Sequence, residues 1–262
     1  MTDAINAAVE EWFGIKADPD DVKKLQAYLR ETYGGETREI VKKVFSSGEA
    51  AGFLTVNETY FFREPAHFAL LWDQLPSFEK TGISICSAAT STGCEAYSIA
   101  MLIEAYNKGA GRPLSYHVDA FDVNPKVIET AHQGVFGERA MREDGNCFHY
   151  MANPYLKRLE NGYRLDPSLK KNINFFTHNL MNAIPSKGYD LIFFRNAFIY
   201  FTCQNRERIL SNLYSALKEG GILIVGVSET SRVHYDGLAG KNRNDVFYFQ
   251  KSVQKSLQFT EA

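Results

Sequence analysis

Apolar side chains in the first part of the chain recur at helical spacing. Val22, Leu25, Tyr28 and Leu29 fall on one face of a segment that Asp18 or Asp20 can cap and that Gly34-Gly35 ends. Ile40, Val41, Val44 and Phe45 form a second stripe on a helix beginning at about Thr37. In VNETYFFREPAHFALLWDQL, the half from Pro65 onward reads as a helix with proline in its first turn. From Gly82 the pattern changes to apolar runs alternating with helical stretches, which predicts a parallel sheet. ISICSAA leads through TSTG into the helix CEAYSIAMLIEAYNKG, and SYHVDAFDVN leads into PKVIETAHQG. NINFFTHN and YDLIFFRN read as further strands. The helix NRERILSNLYSALKEGG is expected to stop at Gly220-Gly221. ILIVGVSET, a polar loop and DVFYFQKS follow; two strands joined by a loop rather than a helix predict an antiparallel edge on the parallel sheet.

The rhythm fails between about Phe136 and Lys171. There KRLENGYRL reads as a small hairpin around Asn161-Gly162. The predicted organisation is a helical part with its linker over residues 1–78 and an α/β part over 79–262 that carries a β insertion at about 136–173. Met151 to Phe175 hold five basic and two acidic side chains, a local excess of positive charge.

The chain as a whole is close to neutral, with 29 Lys and Arg against 31 Asp and Glu, which argues against a protein that coats nucleic acid. With 45% hydrophobic and 23% charged residues over 262 positions, a folded core needs no staple. Cys86, Cys94, Cys147 and Cys203 form no CxxC pair and have no His at zinc spacing, so neither a disulfide framework nor a structural zinc is expected. The N-terminal residues lack the basic start and apolar run of a signal peptide, and no apolar stretch reaches about 18 residues. A cytoplasmic protein without membrane insertion is the expectation.

Candidate chemistry gathers where strands end. The loop Ser87 to Gly93 follows an apolar strand and opens a helix, where backbone N–H groups and the helix dipole face a ligand. It has a single glycine and no GxGxxG, and Glu95 in the first helical turn would repel phosphate, so a nucleoside without phosphates suits it better than a pyrophosphate cofactor. An ordinary strand-to-helix turn is equally compatible. Asp122 ends the second strand, where an acid can accept from ribose hydroxyls. Asn179-Leu180 and Arg195-Asn196 end the next two strands on the same rim; alone, Asn179 reads as a loop cap and Arg195 as a surface salt bridge. In NETYFFRE, the polar Asn57, Thr59 and Arg63 surround Tyr60, Phe61 and Phe62, and Arg63 can fork onto a ligand carboxylate. The segment also reads as an aromatic linker stapling the helical part to the sheet. His67 lies one helical turn beyond Arg63, so the two can share a face.

NETYFFREPAHF, STGCEAYSIAM, FDVNP, NL and FFRNAFIYF, in this order, closely resemble the chemotaxis receptor methyltransferases, the CheR family. The resemblance implies an α/β fold: a Rossmann-like class I methyltransferase domain with an N-terminal helical domain and a small antiparallel β insertion. It implies transfer of a methyl group from S-adenosylmethionine to glutamate carboxylates on the cytoplasmic helical domain of chemoreceptors, leaving S-adenosylhomocysteine. By position, it makes Asn57, Thr59 and Arg63 cofactor contacts, with Arg63 on the methionine carboxylate. Glu95 and Asp122 match cofactor contacts as well, Asp122 on the ribose, and Asn179, Leu180, Arg195 and Asn196 match contacts near the adenosine. Tyr200 and His67 fall where the family places groups near the transferred methyl, and these two with Arg63 are the expected catalytic residues. In some members the β subdomain docks a peptide tail of the receptor. Two departures stand out: GCEAYS replaces the usual GEEPYS, and QNRER lacks the usual Asp after Phe201. A methyltransferase with another acceptor and a non-catalytic cofactor-binding module are the competing readings.

Overall fold

The computed structural model describes residues 2–142 and 147–253. The chain opens with helices α1 (Thr2–Phe13), α2 (Pro19–Tyr33), α3 (Arg38–Ser46) and α4 (Ala51–Leu54). The Asp18 side chain caps α2 by accepting from Asp20 N, and Gly34, at φ 76°, closes it in the left-handed region. Thr37 caps α3 by accepting from Ile40 N. Val22, Leu25 and Leu29 of α2 and Val44 and Phe45 of α3 bury together with Ile5, Val9 and Phe13 of α1 as one apolar cluster. The expected stripes are the faces that pack.

After α5 (Pro65–Gln74) the chain alternates strands and helices: β1 (Ile83–Ala88), α6 (Cys94–Gly109), β2 (Tyr116–Asp122) and α7 (Pro125–Gln133). Next come β3 (Val135–Gly137), α8 (His149–Ala152), β4 (Leu156–Leu159) and β5 (Gly162–Leu165). The order closes with β6 (Ile173–Thr177), β7 (Tyr189–Phe194), α9 (Cys203–Ala216), β8 (Leu217–Val225), β9 (Leu238–Arg243) and β10 (Val246–Lys251). Seven strands form one sheet in the order β6-β2-β1-β7-β8-β10-β9. The pairs β6-β2, β2-β1, β1-β7 and β7-β8 are parallel, whereas β10 is antiparallel to both β8 and β9. From β1 the chain winds outward through β2 to β6, then returns to β7 on the other flank. The strand order therefore reverses between β1 and β7.

The small sheet has the order β3-β5-β4. Its β4-β5 turn is the Asn161-Gly162 hairpin, and Gly162 has no alternative there: a Cβ would sit 2.0 Å from Phe136 O. The third strand, β3, is too short to leave a pattern in the sequence.

Two expectations need correction. Helix α9 ends at Ala216, short of the glycines, because Leu217 is already extended and pairs with Tyr189 at the start of β8. Gly220, at φ 74°, and Gly221 lie inside β8, where the register with β7 shifts between Tyr189 and Leu191. The open end of α9 is satisfied instead by Lys251, whose Nζ donates to Tyr214 O and Leu217 O at 2.8 and 2.9 Å. The polar loop before the last strand contains the edge strand β9, exposed on nearly every residue and so lacking any apolar alternation.

The helical part is sewn to the sheet next to the end of β7. Ile15 forms an isolated bridge with Phe201. Thr202 N donates to Gly14 O at 3.0 Å, and Lys16 N donates to Tyr200 O at 3.4 Å. Gly14, at φ 72°, leaves no room for a side chain, since a Cβ would lie 2.4 Å from Met181 Sδ.

Candidate active site

A cavity of about 1010 Å³, counted out to bulk solvent, opens at the carboxyl ends of β1, β2, β6 and β7. Open α/β sheets bind ligands at this rim, where the strand order reverses. The helical part closes one side with Phe13, Ile15 and Leu54, and the linker 55–63 runs along the same wall. Among the described residues, seven non-glycine residues have positive φ. Asn244 and Asp245 turn the β9-β10 hairpin; the other five, Phe62, Glu64, Ala89, Ser91 and Asn196, lie in the segments that wall the cavity. Such conformations cost energy and concentrate where a site dictates them.

Arg195 is buried in the cavity wall rather than on the surface, with 6% of its area exposed. Its Nη1 donates to Glu95 Oε2 at 3.0 Å, and Nη2 lies 3.4 Å from Glu64 Oε2 and donates to Arg63 O. Glu95 also accepts from Ser87 Oγ at 2.7 Å, so β1, α6 and the end of β7 meet on one carboxylate. Burial works against the charge of Glu64. The His67 ring, the Arg195 guanidinium and the Asn196 amide outweigh it and hold the Glu64 carboxyl well below the usual carboxylate range. Two acids and one buried guanidinium thus bind the linker to the sheet.

Asp122 is buried, with 7% of its area exposed, and burial pushes its carboxyl up from the ordinary value. Its Oδ2 accepts from Ser91 N at 2.9 Å and its Oδ1 from Asn124 N at 3.0 Å, which locks the loops after β1 and β2 together. The capping of α7 falls to Asn124, which accepts from Lys126 N. Ser91 Oγ donates in turn to Asn57 O at 2.9 Å. On the neighbouring strand end, Asn179 turns its own loop by accepting from Met181 N and donates to Trp12 O of α1.

The turn after β7 carries Asn196 and Tyr200. Glu229 anchors it from below. This fully buried carboxylate accepts from Asn196 N at 2.7 Å, Gly226 N at 2.8 Å and Ile199 N at 3.2 Å. Asn196 Nδ2 donates to Glu64 Oε1 at 3.0 Å. Tyr200 stays 38% exposed at the cavity wall. Partial burial raises its phenol from the ordinary value against the opposing charge of Arg63, so it is protonated at neutral pH.

The cavity brings together Asn57, Thr59, Arg63, Glu95, Asp122, Asn179, Leu180, Arg195, Asn196 and Tyr200. His67 is absent from its lining and sits 2% exposed in the core. The helical spacing that would align His67 with Arg63 fails because Glu64, at φ 56° and ψ 70°, precedes the first turn of α5 and leaves Arg63 outside the helix. His67 Nδ1 lies 3.2 Å from Glu64 Oε2 without hydrogen-bonding geometry. Glu64 and Glu229 belong to this network although neither is among the candidate residues the sequence singles out. The signal that picked out Asp122, an acid just beyond an apolar strand, also marks Glu229 in VGVSET.

The chemistry of the lining fits S-adenosylmethionine. Glu95 in the first turn of α6 and Asp122 at the end of β2 disfavour phosphate, Arg63 offers a carboxylate partner, and His178 Nε2 is a buried nitrogen without a partner in a residue of the cavity wall. A family model described as CheR methyltransferase, SAM binding domain, matches residues 57–239. Fold and site are therefore those of an S-adenosylmethionine-dependent methyltransferase. Chemotaxis protein methyltransferases of Vibrio parahaemolyticus and Listeria monocytogenes are each 30% identical to the chain. The first match spans 217 residues, 79% of this chain and 74% of that protein; the second spans 224 residues, 84% and 82%. The protein of the same name from Borreliella burgdorferi is 33% identical over 190 residues, 68% of this chain and 66% of that protein. The chain belongs to the CheR methyltransferase family. Among the described residues no helix is long and apolar enough to cross a membrane.

Proposed function

We propose that this protein transfers the methyl group of S-adenosylmethionine to glutamate side chains on the cytoplasmic helical domain of chemoreceptors, forming methyl esters. Family membership and relatives named chemotaxis protein methyltransferases support the class of acceptor. The observation that carries the chemistry is a protonated, part-exposed Tyr200 that shares with Arg63 the wall of a solvent-open cavity at the strand tips.

When bound, the cofactor supplies a methyl group on a positively charged sulfur. In this reading Arg63 holds its carboxylate and Asp122 its ribose, with Asn57 and Thr59 on the linker side. Glu95, Asn179, Leu180, Arg195 and Asn196 complete the holding set, Arg195 acting through the two acids it pairs with. A glutamate carboxylate, with an ordinary pKa of about 4.3, is ionised at neutral pH and needs no general base. The protein's task is to align it and keep water away. Tyr200 donates a hydrogen bond to one oxygen of the incoming carboxylate and fixes its approach. His67, off the cavity lining, has no part in this reading.

Tritium transfer from labelled S-adenosylmethionine into receptor-rich membranes tests the function. The expected label is released as methanol by mild base. Base-stable label indicates a different acceptor, and absence of label with intact cofactor binding indicates a non-catalytic module. Tyr200→Phe is expected to lower kcat by about 10²-fold, the scale of one positioned donor. Its affinity for S-adenosylhomocysteine should stay near that of the parent. Equal losses in both measurements would remove Tyr200 from the acceptor side.

A further inference from the structure

Glu58 lines the cavity and stands among arginines. Its carboxylate pairs with Arg142, and its backbone carbonyl accepts from Arg63 Nη1 at 3.0 Å. The guanidinium carbons of Arg142 and Arg63 lie 4.5 and 5.6 Å from the centre of the Tyr60 ring, another cavity-lining residue. Hydrogen bonding and charge from Arg142, followed by the charges of Arg63 and Arg139, hold the Glu58 carboxyl below its ordinary range. The same carboxylate acts electrostatically on the Tyr200 phenol. A carboxylate of the protein's own thus stands among arginines on the wall of the cavity that Tyr200 also lines.

We infer that Glu58 occupies the receiving place of the acceptor glutamate, a carboxylate subsite whose charged wall is Arg142 backed by Tyr60. The inference rests on the reading of Tyr200 as the acceptor-side group. Glu58 and Arg142 are both part-exposed, at 54% and 32% for the side chains, and an ion pair of that kind is weak and readily exchanged. An incoming glutamate displaces Glu58 from Arg142 by replacing one carboxylate with another. Once methylated, the side chain is a neutral ester and no longer competes for the guanidinium. Glu58 then returns to Arg142 and favours release of the product. The resident acid sets both the threshold for the acceptor and the exit of the ester.

The test is steady-state methylation of receptor membranes by the full chain and its variants. Glu58→Gln is expected to lower the KM for receptor about fivefold, the scale that an exposed ion pair commands. Its affinity for S-adenosylhomocysteine should remain unchanged. Arg142→Gln should raise that KM, and adding Glu58→Gln to it should give no further fall, because the two residues act as one pair. An unchanged or raised KM in Glu58→Gln, or a fall that persists in the double variant, overturns the inference. The parent chain separates this from the underlying reading. If it forms no base-labile ester on receptors, the proposed function fails; if it does and Glu58→Gln behaves as the parent, only the subsite fails.

Discussion

Arg195→Ala should destabilise the protein by about 3–5 kcal/mol, the usual consequence of removing one partner from a buried charge pair. The loss is large because two acids depend on this guanidinium, Glu95 at 3.0 Å and Glu64 at 3.4 Å, and both would be left without it in a poorly solvated site. The pH dependence has a definite sign. Arg195 helps hold the folded-state Glu64 pKa below its ordinary value, so its stabilisation is fully present above the unfolded-state pKa of about 4.3 and disappears as pH falls toward the folded value. The gap between parent and variant should therefore be constant from about pH 5.5 upward and narrow below about pH 4.5. Denaturant unfolding across that range measures it. A gap that stays constant down to acid pH would mean that Arg195 matters through packing over Phe68, whose ring centre lies 5.7 Å away, rather than through charge.

The second large effect is at Glu229. Glu229→Ala leaves three backbone N–H groups without their acceptor, each worth about 1–3 kcal/mol when buried and unsatisfied. A loss of about 3 kcal/mol or more is expected, together with loss of activity. Glu229→Gln is the sharper probe. Its amide keeps one acceptor oxygen but turns a donor toward one of the N–H groups, and this loosens the Asn196–Tyr200 turn without emptying the space. We expect kcat to fall about tenfold and S-adenosylhomocysteine affinity to change little. In a Tyr200→Phe background the further loss should vanish, because the residue acts by placing that tyrosine. Full additivity of the two substitutions would reduce Glu229 to a staple.

Much of this architecture could be read from side-chain patterns, and the failures share a physical cause. Stripes such as Val22, Leu25 and Leu29, and apolar runs such as ISICSAA, are visible because one buried face imposes a period. The hairpin at Asn161-Gly162 is visible because its turn has strict chemistry. Strand β9 carries almost no buried residue, so nothing in LAGKNR announces it. At the end of α9, Lys-Glu-Gly-Gly mimics a helix stop, yet pairing of Leu217 with Tyr189 decides the conformation. In the site, polar residues just past apolar strands stood out one by one. What the chain could not reveal was their mutual pairing. Arg195 reads as a surface residue until Glu64 and Glu95, far away in sequence, are seen to bury with it. His67 reads as a neighbour of Arg63 until the left-handed Glu64 breaks the helical register between them.

The seam between α1 and the end of β7 bears on how the molecule can be taken apart. Gly14, Ile15 and Lys16 share main-chain bonds with Tyr200, Phe201 and Thr202. Phe13, Ile15 and Leu54 wall the same cavity that those bonds border. Residue 57, where the family match begins, is consequently no natural cutting point. A fragment started there would be short of a side of its binding chamber and of the main-chain tether on Tyr200. The leading helices are masonry of the catalytic room rather than a porch in front of it.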